Sequence, residues 1–183
     1  MRSFIAAVVA LGSVAITCIA ATAPTPGIEK TPIPAMATPD FSTMFPGRWH
    51  CSYKSSRRAT PFETTDTRSV SRDGYWLVIE TTIGKTPQNG GFHSTDRITY
   101  DASTKRWVDM EADEKGYYEV STSPGWHGRS MVWTDVLAPQ GAGVARNNPT
   151  TITRVSEAQF TTSGSFVEKS GRLITVKGLC MKM

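Results

Sequence analysis

Short segments of strand-like composition recur along this chain from Trp49 almost to its end. They follow one another about every ten residues, and turns rich in Gly, Pro and Asp separate them, as at Asp73-Gly74. This spacing is typical of an antiparallel meander, which folds as a sandwich or an up-and-down barrel. The sequence therefore predicts an all-β domain, with strands at residues 49–54, 64–72, 75–83, 93–100, 106–112, 117–122, 129–136, 144–155, 159–166 and 172–181.

The first 23 residues have the order of a secretory signal peptide. Arg2 is the only charged residue before an apolar run at residues 4–21, and small alanines end the segment. A basic start, an apolar middle and a small-residue end are typical of an export signal. We therefore expect removal of residues 1–23 and a secreted or periplasmic protein. An uncleaved membrane anchor and a lipid anchor on Cys18 stay open as alternatives.

The segment after the signal, residues 24–37, consists mainly of Pro, Thr, Ala and Gly, which favours a flexible linker. Thr38-Pro39-Asp40 then supplies a cap-like Thr, a Pro suited to a first helical turn and an early acid. Apolar side chains follow at one-turn spacing: Phe41, Met44 and Phe45. These positions predict a short, 3₁₀-like helix that packs on a β-barrel domain at residues 38–183.

Two cysteines remain once the signal is removed, Cys51 in the first predicted strand and Cys180 in the last. An open meander leaves two exposed strand edges, whereas a closed barrel makes its first and last strands neighbours. Cysteine pairs in exported chains commonly form disulfides. We therefore predict a single closed up-and-down barrel of about 9–10 strands with a Cys51–Cys180 disulfide. Two buried free thiols are the alternative.

Charge and hydropathy exclude several classes of partner. The formal net charge is +4, and the basic residues are scattered, whereas nucleic-acid binding requires a clustered basic surface. No later apolar run approaches the roughly 20 residues of a membrane helix. We expect no nucleic-acid partner, no membrane span in the mature chain, and a monomer.

Several motifs follow one another in order from residue 45 to residue 182. They comprise a Gly-x-Trp entry into the first strand, a Thr-rich strand, two Trp-containing hairpins and a Ser-Pro-Gly-Trp turn: Phe45-Pro46-Gly47-Arg48-Trp49, Cys51, Thr64–Thr67, Asp73-Gly74-Tyr75-Trp76, Tyr100-Asp101, Thr104, Trp107, Ser123-Pro124-Gly125-Trp126 and Cys180. The set resembles the lipocalin-like, calycin-type barrels of uncharacterised bacterial exported proteins. The resemblance implies the fold but no activity, because a fold does not supply a function.

Aromatic residues favour a ligand site, since the chain holds five Trp and five Tyr and small-molecule pockets are commonly walled by aromatic and apolar groups. Alternation does not decide which face of the strands at 75–83 and 106–112 points inward, because both faces are mixed. We expect four residues to line a ligand site: Trp76, Tyr100, Met110 and Trp133. The alternative is a lumen filled by its own side chains, as in many small barrels.

Motifs for catalysis and metal binding are missing from the sequence: it has no nucleophile elbow, zinc-binding helix or phosphate loop. Carboxylates on strands are more commonly solvated, and a catalytic acid and base would have to lie inside the lumen. The candidates for such a pair are four acids: Glu80, Asp109, Glu111 and Asp135. Asp109 and Glu111, with the acids at 113 and 114, indicate a charged hairpin tip rather than a calcium loop. We predict no catalytic residue, no metal and no cofactor.

Three separate histidines, His50, His93 and His127, indicate surface or turn positions rather than haem ligands. The leading hypothesis is an exported barrel that binds a small, partly apolar molecule non-covalently. The alternative is a packed structural or interaction domain of the cell envelope without ligand or activity, and an enzyme comes third.

Overall fold

A closed antiparallel β-barrel dominates the computed structural model of the protein, which describes residues 38–85, 90–140 and 143–183. The predicted signal peptide and the predicted linker lie outside the described residues. The strands are β1 Gly47–Ser55, β2 Phe62–Val70, β3 Leu77–Ile83, β4 Phe92–Asp101, β5 Arg106–Asp113, β6 Tyr118–Ser123, β7 Trp126–His127, β8 Ser130–Gln140, β9 Val144–Asn147, β10 Thr150–Ser156, β11 Gln159–Glu168 and β12 Leu173–Lys182.

Ten of these strands form the ring. They pair in the order β1-β2-β3-β4-β5-β6-β8-β10-β11-β12, and the pair β1–β12 completes the circle. β7 forms a short hairpin with β8, and β9 pairs with β11. The predicted up-and-down barrel is confirmed. The described residues contain no helix with the length and hydropathy of a membrane span.

Two predicted strands differ from the observed ones for local reasons. The segment predicted at 144–155 is divided into β9 and β10, and Pro149 lies at the division because it has no backbone N–H for the ladder. The third strand begins at Leu77 rather than at residue 75. A turn precedes it, in which the Ser71 backbone N–H donates to the Trp76 carbonyl (2.8 Å) and Gly74 has a φ of 77°.

The Cys51–Cys180 disulfide joins β1 to β12. The two residues lie directly opposite each other in the ladder, with Cα atoms 4.0 Å apart, and both are buried. The predicted disulfide is confirmed. It connects the ends of the domain across a sequence separation of 129 residues.

A 3₁₀ turn at Ser42–Met44 covers one end of the barrel, which we call the floor. The three apolar side chains predicted to pack there are buried: Phe41, Met44 and Phe45. Phe45 stacks on Phe160 at a ring-centroid distance of 4.6 Å, and its carbonyl accepts a hydrogen bond from Nε1 of Trp49 (2.8 Å). The guanidinium of Arg154 donates to the Thr43 carbonyl (2.7 Å). These contacts fix the turn on the barrel.

Candidate functional site in the barrel lumen

The barrel encloses a cavity of about 400 Å³. Apolar side chains line it at the floor: Met44, Phe45, Trp126, Met131 and Ile152. Apolar side chains also line it where the strands reach the opposite end, which we call the mouth: Phe62, Ile83, Phe92 and Phe166. The wall between floor and mouth is mostly polar.

Alternation along the strands decides which side chains face the cavity. On β5, Asp109 and Glu111 line the cavity, whereas Met110 between them is on the outer surface. On β4, the inward residues are Ser94, Asp96 and Ile98.

Five carboxyl side chains lie together on four consecutive strands of the ring, and we call them the acid wall: Asp96, Asp109, Glu111, Glu119 and Asp135. Glu111 is directly opposite Asp96 on β4 and opposite Glu119 on β6. Ser121 separates Asp109 from Asp135 in the next row of cross-strand pairs. Like charges directly opposite each other destabilise a sheet. The acid wall therefore opposes folding when it is ionised.

A sixth carboxylate in the cavity, Asp66 on β2, is neutralised by Arg68. Oδ2 of Asp66 lies 3.1 Å from an Arg68 guanidinium nitrogen, and their side chains are only 4% and 9% exposed. Thr64 donates a further hydrogen bond to Asp66 (3.0 Å), and the guanidinium lies 4.7 Å from the centre of the Phe160 ring. Among the described residues that line the cavity, Arg68 is the only cationic one, and it is already paired.

Burial and mutual repulsion raise the pKa of the central members of the acid wall. Desolvation raises the pKa of Asp96 well above its ordinary value, and the Asp109 carboxylate adds to the shift. Desolvation also raises the pKa of Asp109, followed by repulsion from Glu111 and Glu119. The pKa of Glu111 is raised by desolvation and then by Asp96 and Glu119. Arg68 lowers the pKa of Asp96 and Asp109, but not enough to offset these effects.

The remaining two members of the acid wall have polar neighbours. Glu119 accepts hydrogen bonds from the Tyr117 hydroxyl and the Asn147 amide, but desolvation still raises its pKa. Desolvation raises the pKa of Asp135 as well, and a hydrogen bond from Asn147 opposes that shift. Asn147, at the end of β9, thus serves both carboxyl groups.

Several buried polar atoms of the cavity wall have no hydrogen-bond partner among the described residues: Oδ1 of Asp109, Oδ2 of Asp135, Nε1 of Trp126 and Nε of Arg68. Buried polar groups are nearly always paired with protein, water or ligand. Two carboxyl oxygens of the acid wall are therefore left for a polar partner inside the cavity.

The four residues predicted to bind ligand occupy different places. Trp133 is buried and lines the cavity. Met110 is 37% exposed on the outer surface, because the alternation of β5 turns the neighbouring acids inward. Trp76 lies in the turn before β3, and Tyr100 packs edge-on against Trp107 near the floor, with ring centroids 5.4 Å apart. Neither of them is part of the cavity lining.

The interpretation of Asp109 and Glu111 as part of a solvated hairpin tip is wrong, because both side chains line the cavity, as does Asp135. The fourth carboxylate considered, Glu80, is on the other face of its strand, where it contacts His93 at 2.9 Å. The sequence signal that could have indicated the acid wall was the pair of acids two residues apart on β5, together with Glu119 and Asp135. It could not be used without the register that brings those strands together.

The three histidines are not part of the described cavity lining, and the candidate metal-ligand group contains the disulfide. His50 pairs with Glu63 at 3.4 Å, and His50, His93 and His127 are exposed. Among the described residues, one group of three metal-ligand types converges within 4.8 Å: Cys51, Asp66 and Cys180. Both sulfurs of that group are in the disulfide, so it offers no thiolate.

Comparison with known proteins adds a fold-level similarity. No protein-family profile matches the chain, and no curated protein matches it. Among solved structures, the chain is similar to one described as a de novo designed fluorescence-activating β-barrel. The identity is 12% and the TM-score 0.44, over 79% of this chain and 99% of that chain. The predicted resemblance to lipocalin-like barrels is confirmed only at the level of a closed antiparallel β-barrel.

Proposed function

We propose that the barrel binds a small, partly apolar molecule non-covalently in its lumen. The observation that carries this proposal is the cavity of about 400 Å³ with an apolar floor, an apolar mouth and a polar wall. Small-molecule sites are commonly cavities of roughly 300–1,000 Å³ in which apolar surfaces hold the ligand and polar groups fix its orientation.

The composition of the wall favours a ligand over a purely structural barrel. A barrel selected only for stability would fill its lumen with close-packed apolar side chains. Here, small residues, all but one of them polar, face the lumen from several strands: Thr64, Thr81, Ser94, Ser121, Thr162 and Gly164. Gly178 on β12 leaves room for the Tyr53 ring, since a Cβ at this glycine would lie 2.5 Å from Cε1 of the tyrosine.

We also propose that the protein acts outside the cytoplasm. The disulfide supports this location, because disulfides persist mainly in oxidising compartments. The apolar segment at residues 4–21, which follows Arg2 and has the pattern of an export signal, supports this location from the sequence.

Blocking the lumen is expected to abolish binding. Thr162 on β11 lines the cavity, so Thr162→Trp fills part of the volume that a ligand needs. Titration with the neutral dye Nile red, followed by its fluorescence, should show saturable binding to the unmodified protein. The variant should show a loss of affinity of about tenfold or more.

The matched control is Ser163→Trp, because the next residue on β11 is exposed on the outer surface. This variant should bind the dye as the unmodified protein does. Binding that is unaffected by Thr162→Trp, or weakened equally by both substitutions, would place the dye outside the lumen and contradict the proposal.

A further inference from the structure

We propose that the ligand of this cavity is an organic cation, in particular a protonated amine attached to an apolar group, and that the acid wall holds its ammonium group. This inference rests on the proposed binding function and names the chemical class of the ligand.

The balance of charge inside the cavity is the first argument. The five carboxyl groups of the acid wall face the lumen, and the only cationic side chain among the described lining residues is paired with Asp66. Ionised carboxylates in a desolvated site require a counter-charge. A cationic ligand supplies the charge that the protein itself does not provide.

Hydrogen-bonding capacity is the second argument. Oδ1 of Asp109 and Oδ2 of Asp135 are buried acceptors without a protein partner among the described residues. Ser121 lies between these residues in the same row of cross-strand pairs, so both side chains project from one part of the wall. An ammonium group carries up to three donors and no acceptor, which suits this set of oxygens.

The spacing of the carboxyl groups favours an organic cation over a bare metal ion. Calcium and similar ions require several oxygen ligands that converge on one point. Among the described residues, no three members of the acid wall each bring an oxygen within 4.8 Å of the others. The wall is therefore spread over a surface on which an extended molecule can lie.

Apolar side chains next to the acid wall provide a place for the rest of the molecule. Ile79 is directly opposite Asp96, and Ile98 is directly opposite Asp109. Trp133 lies two residues before Asp135 on the same face of β8 and lines the cavity. An indole face also attracts a cation within about 6 Å of the ring centre. The ammonium group and the apolar group thus find partners within one cavity.

Ligand binding should be coupled to release of protons. Burial and mutual repulsion raise the pKa of Asp96, Asp109 and Glu111. The empty wall therefore retains protons at pH values above those at which carboxylic acids ordinarily ionise. The other titratable or charged groups that act on these acids come from the surrounding strands: Tyr53, Asp66, Arg68, Asp113, Tyr117, Glu119 and Asp135. A bound cation favours the ionised form and displaces protons into solution.

Three probes that share one aromatic group and differ in charge test the inference: 2-(1-naphthyl)ethylamine, its neutral N-acetyl derivative and the anion 3-(1-naphthyl)propanoate. Isothermal titration of the full chain at about pH 8 should show the amine binding about tenfold or more tighter than the other two.

The number of protons released follows from repeating the titration in buffers of different ionisation enthalpy. Asp96→Asn/Asp109→Asn should remove the preference, whereas Glu114→Gln, an exposed acid in the turn after β5, should keep it.

The outcomes separate this inference from the proposed function. If all three probes bind saturably with similar affinity, the lumen binds apolar molecules and the inference about charge is overturned. If the amine preference survives in the double variant, the acid wall is not its source, and the inference fails. If no probe binds, the inference and the proposed function fail together. Binding of the N-acetyl derivative to the double variant shows that its lumen is intact.

Discussion

Loss of the Cys51–Cys180 disulfide is expected to lower the free energy of unfolding by about 4–5 kcal/mol, because the bond closes a loop of 129 residues in the unfolded chain. The bond also joins the first strand of the barrel to the last. Its loss allows both ends of the domain to separate from the sheet. Chemical denaturation of Cys51→Ala/Cys180→Ala, compared with the unmodified protein, measures the effect.

The unmodified protein treated with a reductant is the control, because it retains both sulfur atoms and their packing. Its stability should fall by nearly the same amount as that of the double variant. A difference of less than about 1 kcal/mol between oxidised and reduced protein would show that β1 and β12 hold together without the bond. The disulfide would then not be what stabilises closure of the barrel.

Neutralising one member of the acid wall is expected to stabilise the protein at alkaline pH. Asp109→Asn removes a desolvated carboxyl group that is repelled by Glu111 and Glu119 and whose Oδ1 has no hydrogen-bond partner among the described residues. The expected gain in the free energy of unfolding at about pH 8 is on the order of 1–3 kcal/mol. The gain should become smaller as the pH is lowered, because protonation of the native carboxyl group removes the charge that the substitution neutralises.

The direction in which stability changes with pH follows from the direction of the pKa shifts. The native state raises the pKa of Asp96, Asp109 and Glu111, whereas the unfolded chain ionises them near the ordinary value of about 4. Above that value the native state binds more protons than the unfolded state, so stability falls as the pH rises through the native pKa values. Denaturation at a series of pH values should show this decline, and Asp109→Asn should flatten it.

Glu114→Gln is the matched control for the pH series, because it removes an exposed acid in the turn that follows β5. It should leave the pH dependence unchanged. An equal flattening by Glu114→Gln, or an Asp109→Asn variant that is destabilised at every pH, would contradict the assignment of Asp109 to a desolvated wall.

Much of the fold could be predicted from local sequence features. Turn residues such as Asp73-Gly74 mark strand ends, and the cysteines near the two ends of the domain indicated that the barrel closes. The break at Pro149 and the late start of β3 at Leu77 were missed. They depend on individual backbone hydrogen bonds rather than on hydrophobic alternation.

The lumen was harder to predict because the inward face of several strands is polar. Alternation identifies two faces of a strand, but it assigns the apolar one to the interior. On β5 the reverse holds: Met110 is outside, whereas Asp109 and Glu111 are inside. A face of this kind conflicts with the usual pattern of a stable core, and such local conflicts are commonly found at functional sites.

The most direct measurement of the central claim, that the lumen holds a small molecule, is native mass spectrometry of the protein purified from the cells that make it. We expect the native mass to exceed the denatured mass by that of one small molecule, and we expect Thr162→Trp to remove the difference. Equal native and denatured masses for the unmodified protein, together with no saturable binding of Nile red, would contradict the claim.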